Sequence, residues 1–162
     1  MEKAAFRILL GACLVAACAH APQPSARPTI ETADVVFVCE HGAAKSVLAS
    51  AYFNRLAAKS GSPLRATPRG AAPQEALSTT TLAGMTAEGL RPDVDAPLAV
   101  ETAQARTRLI AFDCGLPAMQ PVNRTDCWDD VPLVGEGYAK AREAIRIHVE
   151  ALFQQLGSNR VR

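Results

Sequence analysis

The sequence predicts an α/β domain with an open, mostly parallel four-stranded sheet and helices on both faces. Three observations carry this. Val35-Val36-Phe37-Val38-Cys39 and Leu109-Ile110-Ala111-Phe112 are apolar without alternation, as strands buried on both faces of a parallel sheet are. Stretches of helical periodicity separate the strand-like runs, and strands alternating with helices give a parallel sheet. The 162 residues fit one domain.

The expected elements run in order along the chain. A first strand spans 35–39, and Glu40 to Ala44 is a loop of mostly small residues. A helix follows over 45–59, with Val47, Leu48, Ala51, Tyr52 and Leu56 on one face and Gly61 as its C-cap. Leu64–Thr67 is a short second strand that ends in a Pro68-Arg69-Gly70 turn. A helix over 78–88 turns Leu82, Met85 and Ala76 inward and closes at Gly89. A short extended piece is expected within 94–100, and the third strand spans 108–114. A loop with Pro117 and Pro121 leads to a short fourth strand at 126–128. The last helix runs from Tyr138 to Leu156, with Ile145, Val149, Leu152 and Leu156 as its buried stripe and Gly157 as its cap. The core must come from Val, Leu, Ile and Ala, since aromatics make up 5% of the chain. The formal net charge of +1 argues against a nucleic-acid partner, which needs a clustered basic surface.

The N-terminus reads as an export signal and not as part of the domain. Lys3 and Arg7 precede an apolar run, Ile8 to Ala17, that is shorter than the roughly 20 residues needed to span a bilayer. Val15-Ala16-Ala17-Cys18 resembles a bacterial lipobox, in which Cys18 becomes the lipidated mature N-terminus; a competing cut follows Ala19-His20-Ala21. The expected organisation is a signal over 1–20, a Pro- and Ser-rich tether over 21–32, a domain over 33–157 and a frayed tail over 158–162. The protein is then a periplasmic, membrane-anchored lipoprotein, held through its lipid. Cys13 and Cys18 belong to the signal. Cys39, Cys114 and Cys127 remain, an odd number in an oxidising compartment. One disulfide and one free thiol is the simplest division.

The chemistry concentrates in Cys39-Glu40-His41-Gly42-Ala43-Ala44-Lys45-Ser46. A cysteine ends a strand, five residues turn, and a cation opens a helix. Such a turn points backbone N–H groups inward, and the helix N-terminus adds partial positive charge, which together make an anion site. The same field favours thiolate over thiol and makes Cys39 nucleophilic. Ser46 can hydrogen-bond the sulfur. Glu40 to Lys45 form the anion-binding loop, with Lys45 as a full charge at its rim.

This segment resembles the low-molecular-weight protein tyrosine phosphatase superfamily, which includes the thioredoxin-coupled arsenate reductases. The family loop is Cys, five residues, Arg, then Ser or Thr. Weaker likeness runs from Asp34 to Leu156. The resemblance implies attack by Cys39 on a phosphoryl group, a cysteinyl-phosphate intermediate, and hydrolysis by water. No cofactor and no metal are implied. In the family an Asp, usually before Pro, protonates the leaving oxygen. Trp128-Asp129-Asp130-Val131-Pro132 is the equivalent segment, and Asp129 and Asp130 are both candidates, with Asp129 slightly favoured. The partner would be a phosphate-like oxyanion or a phosphomonoester, phosphotyrosine included. Oligomeric state is open.

Lys45 departs from the family pattern. An Arg grips two phosphoryl oxygens through a planar fork, whereas Lys is a point charge. Anion binding would survive this change better than turnover. Two alternatives therefore stand beside phosphatase activity: a periplasmic oxyanion binder without catalysis, and a thiol-dependent arsenate reductase. Cys114 and Cys127 have three readings in order: a structural disulfide, a redox relay from Cys39, or buried thiols. Trp128 reads as a core or rim anchor and His148 as a helix-surface residue.

Overall fold

The computed structural model describes residues 30–116 and 125–158. The signal, the lipobox cysteine Cys18 and most of the tether lie outside the described residues. Four strands, β1 (Glu31–Cys39), β2 (Ala66–Gly70), β3 (Ala103–Ala111) and β4 (Thr125–Cys127), form one sheet of order β2-β1-β3-β4. All its pairings are parallel. The helices are α1 (Lys45–Ser60), α2 (Thr79–Ala87) and α3 (Tyr138–Ser158), with a 3₁₀ turn at Val100–Thr102.

The pleat sends alternate residues of β1 to opposite faces. Val35, Phe37 and Ile110 face one way and pack with Leu48 of α1, Met85 of α2, and Ile145 and Val149 of α3. Val36, Val38 and Leu109 face the other way and pack with Val100. Both faces are covered, but unequally: the three α-helices share the first face, and the 3₁₀ turn serves the second. That smaller face also holds Arg69, which is 1% exposed. Burial of a guanidinium is tolerable only if its donors are satisfied. Here Nη2 donates to Glu31 at 2.5 Å, Nη1 to Thr67 and the Pro68 carbonyl, and Nε to Thr102.

Several boundaries differ from the sequence reading. β1 begins at Glu31, inside the expected tether, because Glu31–Ala33 pair with Ala103–Ala105 and Glu31 serves Arg69. Pro68-Arg69-Gly70 is strand and not turn. β2 lies at the sheet edge, where a proline's missing N–H is tolerated. β3 starts at Ala103, five residues early, since its first half pairs alongside Glu31–Ala33. Ala76 is exposed and Leu77 is the buried residue there. Gly157 lies within α3. Gly61 and Gly89 do end α1 and α2 in the left-handed conformation.

Glu88 ties the three helices together. Its carboxylate accepts from Tyr52 of α1 and, at 3.0 Å, from Tyr138 of α3, and Arg142 lies 3.6 Å away. Burial, followed by the hydrogen bond to Glu88, pushes the Tyr52 hydroxyl from 10.0 up to about 12; Tyr138 is raised by the same causes. A raised folded-state value means the neutral phenols stabilise the fold fully below pH 10. That contribution is lost as pH climbs through about 12. Glu88→Ala leaves two hydroxyls without their acceptor and is expected to cost about 2 kcal/mol in denaturant unfolding. In Tyr52→Phe the alkaline loss of stability should be smaller than in the wild type.

Candidate active site

In an open parallel sheet the ligand site lies beyond the C-terminal strand ends, where the strand order reverses. β1 is the turning point here, with β2 on one side and β3 on the other. Cys39 is its last residue. It is 8% exposed and its Sγ lies 3.2 Å from Ser46 Oγ. It is the free cysteine among the described residues.

The loop after Cys39 is held from outside. The carbonyls of Cys39, Glu40, His41 and Ala43 accept from the N–H groups of Ala71, Ala72, Gln74 and Ser78, and Ala44 accepts from Leu48. In a trans peptide the N–H of the next residue points opposite to the carbonyl. Fixing five carbonyls outward therefore turns the N–H groups of Glu40, His41, Gly42, Ala44 and Lys45 the other way, as an oxyanion cradle requires. Gly42 has a φ of +63°, and a Cβ there would stand 2.7 Å from the Gly70 nitrogen. Gly70 is equally constrained: its own Cβ would meet Gly42 N at 2.7 Å. Two glycines in contact thus let the loop rest on the end of β2, and only the first was legible as a site residue.

Cys39, Glu40, His41, Ala43, Ala44 and Lys45 line a cleft of about 830 Å³. Asp129, the segment Leu133–Glu136, Leu77 and the N-terminus of α2 at Ser78–Thr79 line it too. Ser78 caps α2 by accepting from Thr81 N–H. His41 is exposed, 4.0 Å from the Glu40 carboxylate. Carboxylates of Glu40, Asp113, Asp129 and Glu136 surround the cleft, and Lys45 is its lysine. Lys45 Nζ donates to the Val131 carbonyl at 2.6 Å. That bond ties the start of α1 to the loop that carries Asp129.

The two candidate acids separate. Asp129 is exposed and lines the cleft with Cys39. Asp130 does not line it; its carboxylate oxygens both lie 2.9 Å from His148 Nε2. His148 is therefore not a plain surface residue of α3, because it also stacks on Trp128. Trp128 is buried against Phe37 and Phe112. Cys114 and Cys127 are joined by a disulfide, with Cα atoms 5.7 Å apart. It links the end of β3 to β4 beside Asp113, and both residues are exposed.

The fold has counterparts among solved structures. The arsenate reductase of Archaeoglobus fulgidus superposes with a TM-score of 0.63 at 22% identity, covering 74% of this chain and 98% of its own. The low-molecular-weight phosphotyrosine phosphatase of Vibrio cholerae O395 gives 0.64 at 15% identity, covering 78% and 98%. A cysteine-to-serine mutant of the Bacillus subtilis arginine phosphatase YwlE, with that active-site serine phosphorylated, gives 0.66 at 16% identity, covering 78% and 97%. No family model matches the sequence, and no curated protein matches it. The chain has the α/β fold shared by low-molecular-weight phosphotyrosine phosphatases and arsenate reductases.

Proposed function

We propose that this chain is an exported, cysteine-dependent phosphatase that acts on phosphate monoesters. The observation that carries the reading is the Cys39 loop. Its carbonyls are tied outward, Ser46 Oγ lies 3.2 Å from the sulfur, and the cleft it lines is lined by Asp129 as well. The Cys39 thiolate attacks phosphorus, and an S–P bond forms as the bond to the leaving oxygen breaks. Asp129 gives its proton to that oxygen. Water then attacks the cysteinyl phosphate, Asp129 takes back a proton, and thiolate and phosphate separate. The loop N–H groups and Lys45 offset the charge on the equatorial oxygens. Phosphotyrosine is the finer substrate assignment. Aliphatic Leu77, Leu133 and Val134 would flank the ester group.

Hydrolysis of p-nitrophenyl phosphate tests the reading; no turnover between pH 4 and 8 would contradict it. Protection of Cys39 from iodoacetamide by phosphate, without turnover, would select the oxyanion binder instead. Lys45→Arg adds the planar fork that grips two oxygens and is expected to raise kcat by roughly tenfold or more. A fall in kcat would mean that the Lys45 bond to Val131 matters more than the fork.

Export and anchoring through Cys18 belong to the same proposal. An exposed disulfide supports it, since such bonds persist in oxidising compartments. The bridge also favours one second reading. In a thiol-dependent arsenate reductase a disulfide is the oxidised product, and arsenate is reduced by two electrons to arsenite. Reduction of arsenate by the thiol-reduced protein, with the Cys114–Cys127 bridge re-forming, would select it. Arsenate turnover that persists in Cys114→Ser would exclude the relay.

A further inference from the structure

Asp129 is itself exposed, while Val131 further along its loop is buried, and a general acid must be held close to its working position. One ring serves both neighbours of Asp129. His148 stacks on Trp128, with ring centroids 4.8 Å apart and planes at 17°. Its Nε2 lies 2.9 Å from each Asp130 carboxylate oxygen, to which its N–H donates. The ring is itself anchored, because His148 sits in α3 between Ile145 and Val149, both fully buried. Trp128 is fixed from beneath, with ring centroids 5.6 Å from Phe37 and 5.7 Å from Phe112. The cleft does not include His148, so the ring does not meet a ligand there.

We propose that His148 is the positioning residue for Asp129. Trp128 is held by stacking and Asp130 by hydrogen bonding, so the intervening residue has little freedom to swing. The carboxyl of Asp129 is thereby kept on the cleft wall, and the Lys45 bond to Val131 secures the loop on its other side. The inference rests on the phosphatase reading for its chemistry, while the clamp itself stands on the contacts alone.

The test compares His148→Ala, which loses both contacts, with His148→Gln, which keeps a donor, and His148→Phe, which keeps the stack. Phenyl phosphate has a poor leaving group and depends on the acid, whereas p-nitrophenyl phosphate depends on it little. In His148→Ala, kcat/KM, which reads the steps up to departure of the leaving group, should fall about tenfold or more for phenyl phosphate and by less than about threefold for p-nitrophenyl phosphate. Inhibition by phosphate should not change, because the Cys39 loop is untouched. His148→Gln and His148→Phe should each recover part of the loss. Equal falls in kcat/KM on both esters, or weakened phosphate inhibition, would overturn the proposal and leave a purely structural role. A readout independent of turnover is hydrogen exchange of the 128–134 backbone. It should quicken in His148→Ala while exchange in 39–46 stays unchanged; no change at 128–134 would overturn the clamp. Absence of turnover in the wild type on both esters would count against the phosphatase reading, and the exchange result would still decide the clamp.

Discussion

Replacing Cys39 with serine is expected to lower kcat for p-nitrophenyl phosphate by roughly 10⁴-fold or more, the scale seen when a nucleophile is removed from a coupled catalytic set. A hydroxyl at this position is neutral near pH 7 and a far weaker nucleophile than a thiolate. The cradle should survive the change. Five loop carbonyls are held by the backbone of 71–78 and α1, not by the sulfur. Phosphate should therefore inhibit or protect the variant as well as it does the wild type. Unfolding measurements should show little change, because serine fills nearly the same volume at a site that is 8% exposed. Loss of turnover together with loss of phosphate binding would point to a collapsed loop. Retained turnover would mean that another group attacks phosphorus.

Asp129→Asn is expected to lower kcat for phenyl phosphate by about 10²- to 10⁴-fold, the usual contribution of a positioned proton donor. The amide keeps the shape of the side chain and cannot transfer the proton. One signature distinguishes this from a general loss of structure: the penalty in kcat/KM should grow as the leaving group becomes poorer, while inhibition by phosphate stays unchanged. Asp130→Asn is the matched control. Its amide oxygen can still accept from His148 Nε2, the group that Asp130 meets in the wild type, so the effect should stay within about tenfold. A larger loss from Asp130→Asn than from Asp129→Asn would reverse the assignment of the acid.

Much of this arrangement was legible in the sequence because local patterns encode it. The unbroken apolar run at Val35–Cys39, small residues after it and a periodic helix from Lys45 specify a strand, a tight loop and a helix without outside help. The sheet's parallel order followed from the same alternation. The misplaced boundaries share a different cause. Glu31–Ala33 looks like linker because its partners are Ala103–Ala105, some seventy residues away, and no local pattern carries that pairing. Pro68 marked a turn by its usual preference, and only edge placement makes it acceptable in a strand. The unequal covering of the two sheet faces depends on where the connections pass, which periodicity does not record.

The site divides along the same line. Cys39, Ser46 and the loop were visible as a contiguous motif. The different placements of Asp129 and Asp130 were not, since Asp130 meets His148, eighteen residues further along. Nor was the Lys45 contact with the Val131 carbonyl, across 86 residues of chain. A lysine at the rim could be read as an anion ligand; its second engagement with the acid loop arises only in the folded state. Gly70 read as part of a turn, and its reason for being glycine is the close approach of Gly42. The disulfide was among several readings open to Cys114 and Cys127. The ends of β3 and β4 bring those two residues together and leave Cys39 apart.

The central claim is that Cys39 is a nucleophile set in an anion cradle. Acid quenching during turnover of p-nitrophenyl phosphate, followed by mass spectrometry of the peptides, tests it most directly. A phosphoryl group on the Cys39 peptide, formed and lost at rates that match turnover, is the predicted result. Turnover with no phosphoryl group on Cys39 at any time, or with the group on another side chain, would contradict it.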